Sequence, residues 1–215
     1  MIKPVNPEWI FRNNKTTLIT KSSKPNIYGD SFQKNNLFYN IWEPFSSKLA
    51  AGIFNGLEIF PILKDSKILY ISHFPNNTLA HLSNIVGSNG KVFFHEHNQN
   101  VKDSSKKFFS YSKNLSVIFD INEIILSDKS NKLDVIIVDA DYDFNIIMDS
   151  ITNRLKIGGF LFFVKKTIVL TEKPIGNVNG MQKYDIVQKI NLTNFFKDFT
   201  MIVAQKLLEN HRTIK

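Results

Sequence analysis

Residues 67–95 read KILYISHFPNNTLAHLSNIVGSNGKVFFH, and this stretch decides the fold. Two short runs rich in β-branched and aromatic residues, 67–72 and 91–95, flank a segment over 77–86. The apolar residues of that segment are spaced as on one face of a helix. A strand, a helix and a second strand at this spacing predict a βαβ unit with parallel strands.

The same alternation continues toward the C-terminus. Further runs typical of buried parallel strands lie at 115–120, 134–139 and 160–164, and apolar spacing over 143–155 predicts another helix. The sequence therefore predicts an α/β fold, a Rossmann-like doubly wound sheet in which most strands are parallel.

The two ends of the chain depart from this pattern. A last strand at 200–204 is expected to pair antiparallel at the sheet edge, and Gly158-Gly159 is expected to stop a helix and turn into a strand. Ahead of the first βαβ unit the periodicity is weak and turn residues are frequent. We therefore predict a small N-terminal β-rich lobe over 1–40 and a Rossmann-like domain over 41–215.

Composition excludes several classes of protein. The 215 residues are 43% hydrophobic and include nine glycines and no cysteine, so collagen-like chains, disulfide scaffolds, thiolate metal sites and a cysteine nucleophile are excluded. The longest apolar run, 160–164, is far shorter than the roughly 20 residues that cross a bilayer. No N-terminal signal peptide is recognisable. We expect a soluble, intracellular protein with no membrane partner.

The charge is strongly positive. Lys and Arg number 27 against 19 Asp and Glu, which gives a formal net charge of +8 and favours a polyanionic partner such as nucleic acid. A solvated surface explains the same charge, because the lysines are dispersed along the chain.

Ligands of an open parallel sheet bind beyond the carboxyl ends of the strands. The residues that follow the predicted strands are the segment 72–78, Glu96, Asp120, Asp139 and Lys166. Carboxylates on successive strand ends are suited to ribose hydroxyls and an adenine amino group. Alternatively, these acids face water or cap the next helix.

His95 and His97 place two imidazoles on one face of a predicted strand. Because no third ligand lies within reach, we predict no metal site there.

Three stretches resemble one protein family. They are WEPFSSKLAA at 42–51, KILY at 67–70 and HLSNIVGSNGKVF at 81–93, and they are similar to fibrillarin, the methyltransferase subunit of box C/D ribonucleoproteins. The resemblance covers about residues 17–205. The first stretch is the most specific, because a generic Rossmann-like methyltransferase does not carry it.

The resemblance implies an activity and partners. It implies S-adenosylmethionine-dependent 2′-O-methylation of rRNA selected by a guide RNA, together with pre-rRNA processing and a Nop-domain scaffold protein. Tyr28-Gly29-Asp30 and Pro44-Phe45 resemble the eukaryotic branch, which implies a nucleus or nucleolus; an archaeal source would imply the cytoplasm.

The resemblance also implies site residues at the matching positions. The implied catalytic residues are Lys48, Asp139 and Lys166. The implied cofactor-binding residues are Ser72, Asn77, Thr78, Glu96, Asp120 and Asp139.

Three positions depart from the family pattern. Phe199 stands where the family has histidine, and the loop 72–78, SHFPNNT, lacks the family's glycines, so Asn76 or Asn77 is expected to take a left-handed conformation. Asp141-Tyr142 replaces Ala-Gln. These departures favour an alternative, a noncatalytic structural subunit that has lost cofactor binding. A small-molecule methyltransferase is a third alternative, which the stretch 42–51 disfavours.

Overall fold

A computed structural model describes residues 7–12, 14–27, 29–96, 109–124, 132–140, 144–167 and 180–208. The first part of the chain forms an antiparallel sheet, called here the small sheet. Its strands are β1 (Glu8–Arg12), β2 (Lys15–Ser22), β3 (Ser31–Lys34) and β4 (Leu37–Ile41), in the order β1-β2-β4-β3.

The rest of the described chain builds a seven-stranded sheet, called here the central sheet, in the order β7-β6-β5-β8-β9-β11-β10. Its strands are β5 (Lys67–Ser72), β6 (Lys91–His95), β7 (Leu115–Ile118), β8 (Leu133–Asp139), β9 (Leu155–Lys166), β10 (Tyr184–Asn191) and β11 (Phe199–Lys206). The α-helices are α1 (Lys48–Phe54), α2 (Asn77–Val86) and α3 (Phe144–Arg154), and short 3₁₀ turns cover Ile121–Glu123 and Met181–Lys183.

The predicted fold is confirmed. The strands from β7 across to β9 pair in parallel, whereas β11 and β10 pair antiparallel beyond β9. The antiparallel edge therefore has two strands, and β10, which the sequence analysis did not identify, is outermost. Much of β10 is only half-buried, so its sequence shows no clear apolar pattern. The small sheet accounts for the β-rich lobe, and the division into two domains at residue 40 stays a prediction.

The expected helix stop at Gly158-Gly159 is wrong. Helix α3 ends at Arg154, and both glycines lie inside β9 at an irregular register in which Leu133 pairs with Leu155 but Val135 pairs with Phe160. Gly158 has φ 73°, and a Cβ on Gly159 would lie 2.9 Å from the carbonyl oxygen of Asp134. A left-handed glycine at a bulge leaves the same local signal as one that ends a helix.

The central sheet separates two hydrophobic cores, because successive side chains of a strand point to opposite faces. Tyr70 and Ile137 belong to the core that α1 and α2 cover, and Leu69 and Ile136 to the core that α3 covers. Asp139 lies two residues beyond Ile137. It therefore shares the face of the sheet that carries Tyr70.

His81 of α2 joins the small sheet to the central sheet. Its ring is fully buried and stacks on Trp42, with centroids 4.7 Å apart and planes at 12°. Thr20 Oγ1 lies 2.8 Å from Nδ1, and Asn26 Nδ2 lies 3.4 Å from Nε2. Burial lowers the pKa of His81 to about 3, so the ring is neutral in the folded protein.

This lowered pKa predicts a pH dependence of stability. The unfolded chain binds a proton at His81 below about pH 6.5, whereas the folded chain does so only near the lowered value of about 3. The stabilisation is therefore complete above pH 6.5 and is lost, at up to about 1.4 kcal/mol per pH unit, as the pH falls through that window. Urea unfolding of the wild type and His81→Gln between pH 4 and 7 should show a shallower slope in the variant. His73→Gln, at an exposed histidine, is the control and should keep the wild-type slope.

Candidate functional site

The stretch 42–51 places Lys48 at the start of α1. Ser47 is the helix N-cap, and its Oγ accepts a hydrogen bond from the backbone N of Ala50 at 3.2 Å. The helix is small on its inner side, and a Cβ on Gly52 would lie 2.8 Å from Sδ of Met201 on β11. This close packing fixes α1, and with it Lys48, against the central sheet.

Asp139 lies at the topological switch point of the central sheet. It is the last residue of β8 and pairs in register with Ser72, the last residue of β5. From β5 the chain proceeds to β6 and β7 on one side, and from β8 it proceeds to β9 on the other. The carboxyl ends of β5 and β8 therefore border the crevice where ligands bind in such sheets.

Both oxygens of Asp139 accept a hydrogen bond. Lys48 Nζ donates to Oδ1 at 2.7 Å, and the Tyr70 hydroxyl donates to Oδ2 at 3.1 Å. The Lys48 and Asp139 side chains are 23% and 9% exposed, so the pair is only partly open to water. Such charge-assisted hydrogen bonds are stronger than neutral ones.

Tyr70 is a donor at any physiological pH. Burial, and then the charge of Asp139, raise the pKa of its hydroxyl well above the ordinary value. The hydroxyl in turn accepts a hydrogen bond from Asn76 Nδ2 at 2.7 Å. Tyr70 therefore connects the carboxylate to the loop that follows β5.

The loop 72–78 is closed by the side chain of Asn76. Its Nδ2 also lies within 3.4 Å of Ser72 Oγ, and its Oδ1 accepts from the backbone N of Thr78 at 3.0 Å as the N-cap of α2. Asn76 has φ −140°, which is extended, and none of the residues 72–78 is left-handed. The expected left-handed conformation is therefore wrong, because a helix cap holds this turn without it.

The two helix N-termini are joined to each other. Thr78 Oγ1 donates to Ser47 Oγ at 2.9 Å, next to Lys48 in the chain. The resulting closed set of contacts, called here the Asp139 cluster, consists of Ser47, Lys48, Tyr70, Asn76, Thr78 and Asp139. Sequence reasoning missed Tyr70 and Asn76, whose signals are a phenol inside an apolar strand and a capping residue before a helix.

The predicted cofactor-binding residues take different positions. Glu96 directly follows β6, is 2% exposed, and its backbone N donates to the Ile118 carbonyl at 3.0 Å. Asp120 is exposed, and its Oδ1 accepts from the backbone N of Asn122 at 2.8 Å. Asp120 therefore caps a 3₁₀ turn, as the capping alternative expects. The binding role of both acids stays a prediction.

Asn77 and Thr78 are used by the protein itself. Asn77 is 6% exposed, and its Oδ1 accepts from Asn26 Nδ2 at 2.6 Å. Thr78 is 1% exposed and donates to Ser47. Their side chains therefore hold the small sheet and α1 in place, and of the loop residues it is Ser72 that lies at the switch point beside Asp139.

Lys166 lies beyond the core, at the end of β9. It is exposed, and it lies two residues after Val164, on the face of the sheet that carries Asp139. It pairs in register with Phe199, whose ring centroid is 5.1 Å from Lys48 Nζ. The phenyl ring therefore lies between the two cations as a cation–π partner of Lys48. In the described part of the chain, the ion pair of Asp139 is with Lys48 rather than Lys166.

Among the described residues, no group of three or more histidines, cysteines and acids is arranged to hold a metal ion. His97, Asp141, Tyr142 and Tyr28 lie outside the described residues. No helix of the described chain is long and apolar enough to cross a membrane.

Comparison with known proteins gives a consistent result. A family model described as Fibrillarin matches residues 6–207. A fibrillarin-like rRNA/tRNA 2′-O-methyltransferase from Sulfolobus acidocaldarius is 32% identical over 213 residues, which cover 92% of each chain. A solved structure, the Methanococcus jannaschii fibrillarin pre-rRNA processing protein, is 26% identical with a TM-score of 0.74 and covers 90% of each chain. Aeropyrum pernix fibrillarin, solved with natively bound S-adenosyl-L-methionine, is similar in fold with a TM-score of 0.76 at 21% identity, over 91% of this chain and 92% of that one.

The Asp139 cluster predicts two separable effects of Asn76 on stability. Asn76→Ala removes the cap of α2 and both amide contacts, and should lower the free energy of unfolding by about 1 kcal/mol or more. Asn76→Ser keeps a capping oxygen but removes the amide donor to Tyr70, so it should cost clearly less. Denaturant unfolding of the three proteins measures this, and equal losses in the two variants would show that the cap contributes little.

Proposed function

Because this chain belongs to the fibrillarin family, we propose that it transfers a methyl group from S-adenosylmethionine to a ribose 2′-hydroxyl of rRNA. The observation that carries the proposal is the Lys48–Asp139–Tyr70 arrangement at the switch point. The named relative from Sulfolobus acidocaldarius, a 2′-O-methyltransferase, supports the reaction type.

The residues beyond the strand ends fit the nucleoside half of the cofactor. Glu96 is a buried carboxylate directly after β6, the neighbour of β5 in the sheet, and carboxylate oxygens accept hydrogen bonds from ribose hydroxyls. Ser72 lies at the end of β5, where the methionine half is expected. When bound, S-adenosylmethionine supplies a methyl group on a sulfonium, which an oxygen displaces in line.

The protein's own residues hold the hydroxyl and its developing charge. Transfer forms a carbon–oxygen bond, breaks a carbon–sulfur bond and releases the hydroxyl proton. Asp139 fixes the Lys48 ammonium at the crevice, and Lys166 adds a second, exposed cation on the same face of the sheet. Two cations near the oxygen stabilise a developing alkoxide, which is the electrostatic part of such a reaction.

Phe199 removes one acid–base group from this site. A phenyl ring neither accepts nor donates a proton, and such groups contribute about 10²- to 10⁴-fold to a rate. We therefore propose a slow methyltransferase in which the cations of Lys48 and Lys166 carry most of the rate enhancement.

A noncatalytic structural subunit is the second candidate. It is favoured by Asn76, whose side chain lies across the end of β5 where the family has glycines. In that case the Asp139 cluster is a structural connection between α1, α2 and the sheet.

Guide RNA, rRNA and a Nop-domain scaffold protein are the proposed partners, as the family resemblance implies. The net charge of +8 supports RNA among them. The leaning toward the eukaryotic branch, and with it a nuclear or nucleolar location, stays part of the proposal.

Cofactor binding distinguishes the two candidates. If the protein is an enzyme, S-adenosylmethionine at about 100 times its dissociation constant should raise the free energy of unfolding by about 2.7 kcal/mol. Calorimetric titration should show weaker binding by Glu96→Gln, by about 10-fold or more, because a charged acceptor is lost. Asn76→Gly should bind more tightly, because it clears the end of β5. Absence of heat with all three proteins would favour the noncatalytic subunit.

The role of Asp139 is tested by methyl transfer in a particle reconstituted with guide RNA and scaffold. Asp139→Ala should abolish transfer of labelled methyl to rRNA, because Lys48 loses the partner that positions it. Asp134→Asn, at the opposite end of β8, is the matched control and should retain transfer. Undiminished transfer by Asp139→Ala would remove this residue from the mechanism.

A further inference from the structure

A polar groove lies at the amino ends of the central strands, away from Asp139. It has a volume of about 530 Å³, and we call it the lysine groove. It runs between the end of β2, the end of α2 and the segment before β7. The residues that line it are Lys21, Ser22, Ser23, Lys24, Ser83, Asn84, Gly87, Ser88, Tyr111, Ser112, Lys113 and Asn114.

The groove presents cations and hydroxyl groups. Lys24 and Lys113 are exposed, whereas Lys21 pairs with Glu8 at 2.8 Å. No aspartate or glutamate is among the described residues that line the groove. The net charge of its lining is therefore positive, and serine hydroxyls accompany the ammonium groups. Ammonium and hydroxyl groups are common donors to phosphate oxygens.

The floor of the groove is held by hydrogen bonds. Ser83 Oγ donates to Asn114 Oδ1 at 2.6 Å, and Asn114 Nδ2 donates to the carbonyls of Ser83 at 3.0 Å and Gly87 at 2.7 Å. Lys24 Nζ donates to the Tyr111 carbonyl at 3.2 Å and so connects the two walls. A ligand therefore meets a formed surface, which lowers the entropic cost of binding.

The groove has no platform on which a base can stack. Tyr111, the aromatic residue among the lining residues, is only 9% exposed, and its hydroxyl donates to Asn84 Oδ1 at 3.4 Å. Recognition of bases in single strands uses exposed aromatic faces. The lining is therefore suited to the sugar–phosphate backbone.

We propose that the lysine groove binds the phosphodiester backbone of an RNA strand without sequence preference. The strand β5, Lys67–Ser72, separates the two edges of the sheet by roughly 20 Å. RNA in the groove is therefore a second contact, apart from the nucleotide at Asp139. RNA as the partner rests on the proposed function, while the groove rests on its own lining.

The test is binding of a fluorescein-labelled oligouridylate, measured by fluorescence anisotropy between about 50 and 200 mM salt. Lys24→Gln with Lys113→Gln should weaken binding about 10-fold at the lower salt. Each lost phosphate contact on a single strand lowers the salt slope by about 0.7, so the double variant should lose about 1.4.

The matched control is Lys183→Gln with Lys189→Gln. These two exposed lysines lie just before and on β10, at the other end of the central sheet, and both double variants lower the net charge from +8 to +6. The control should bind RNA nearly as the wild type does. Thermal unfolding of each variant confirms that the fold is retained.

Three outcomes overturn the groove. They are equal losses in the two double variants, absence of RNA binding by the wild type at about 50 mM salt, and loss of polyglutamate binding alone, which would assign the groove to an acidic protein. None of these outcomes decides the methyl-transfer proposal, which the calorimetric titration with S-adenosylmethionine tests separately.

Discussion

The interaction between Lys48 and Asp139 is the constraint on which the arrangement of the site depends. A carboxylate that is 9% exposed must be compensated by donors, and here Lys48 and Tyr70 supply one for each oxygen. These donors come from α1 and β5, while the carboxylate comes from β8. Because breaking a nearly buried pair leaves an uncompensated charge, the position of α1 is tied to the switch point of the sheet.

The loop after β5 shows how a glycine-rich turn can be replaced. Asn76 caps α2 from an extended conformation and donates to Tyr70, so the turn needs no left-handed residue. The same side chain lies where the backbone of a glycine loop would leave space for a ligand. The molecule thus combines an intact Lys48–Asp139 pair with a modified cofactor loop, and both proposed functions follow from that combination.

The direction of the parallel strands separates two chemical environments. The carboxyl ends carry Ser72, Glu96 and Asp139, which suit a nucleoside and a reacting hydroxyl. The amino ends carry the lysine groove, whose cations and hydroxyls suit phosphates. A protein that acts on a long polyanion gains from two contacts, because a second site raises the effective concentration of the first.

Local patterns in the sequence determined much of this protein: the βαβ spacing, helix 77–86 with its apolar face, and the small, capped start of α1 in the stretch 42–51. Family membership followed from that same stretch. Tertiary structure alone decided that Gly158 lies in a bulge, that β10 is the outer strand, and that Tyr70 and Asn76 join Asp139. The physical reason is range: periodicity and capping act within a few residues, whereas register and hydrogen-bond partners depend on segments that meet only when the sheet forms.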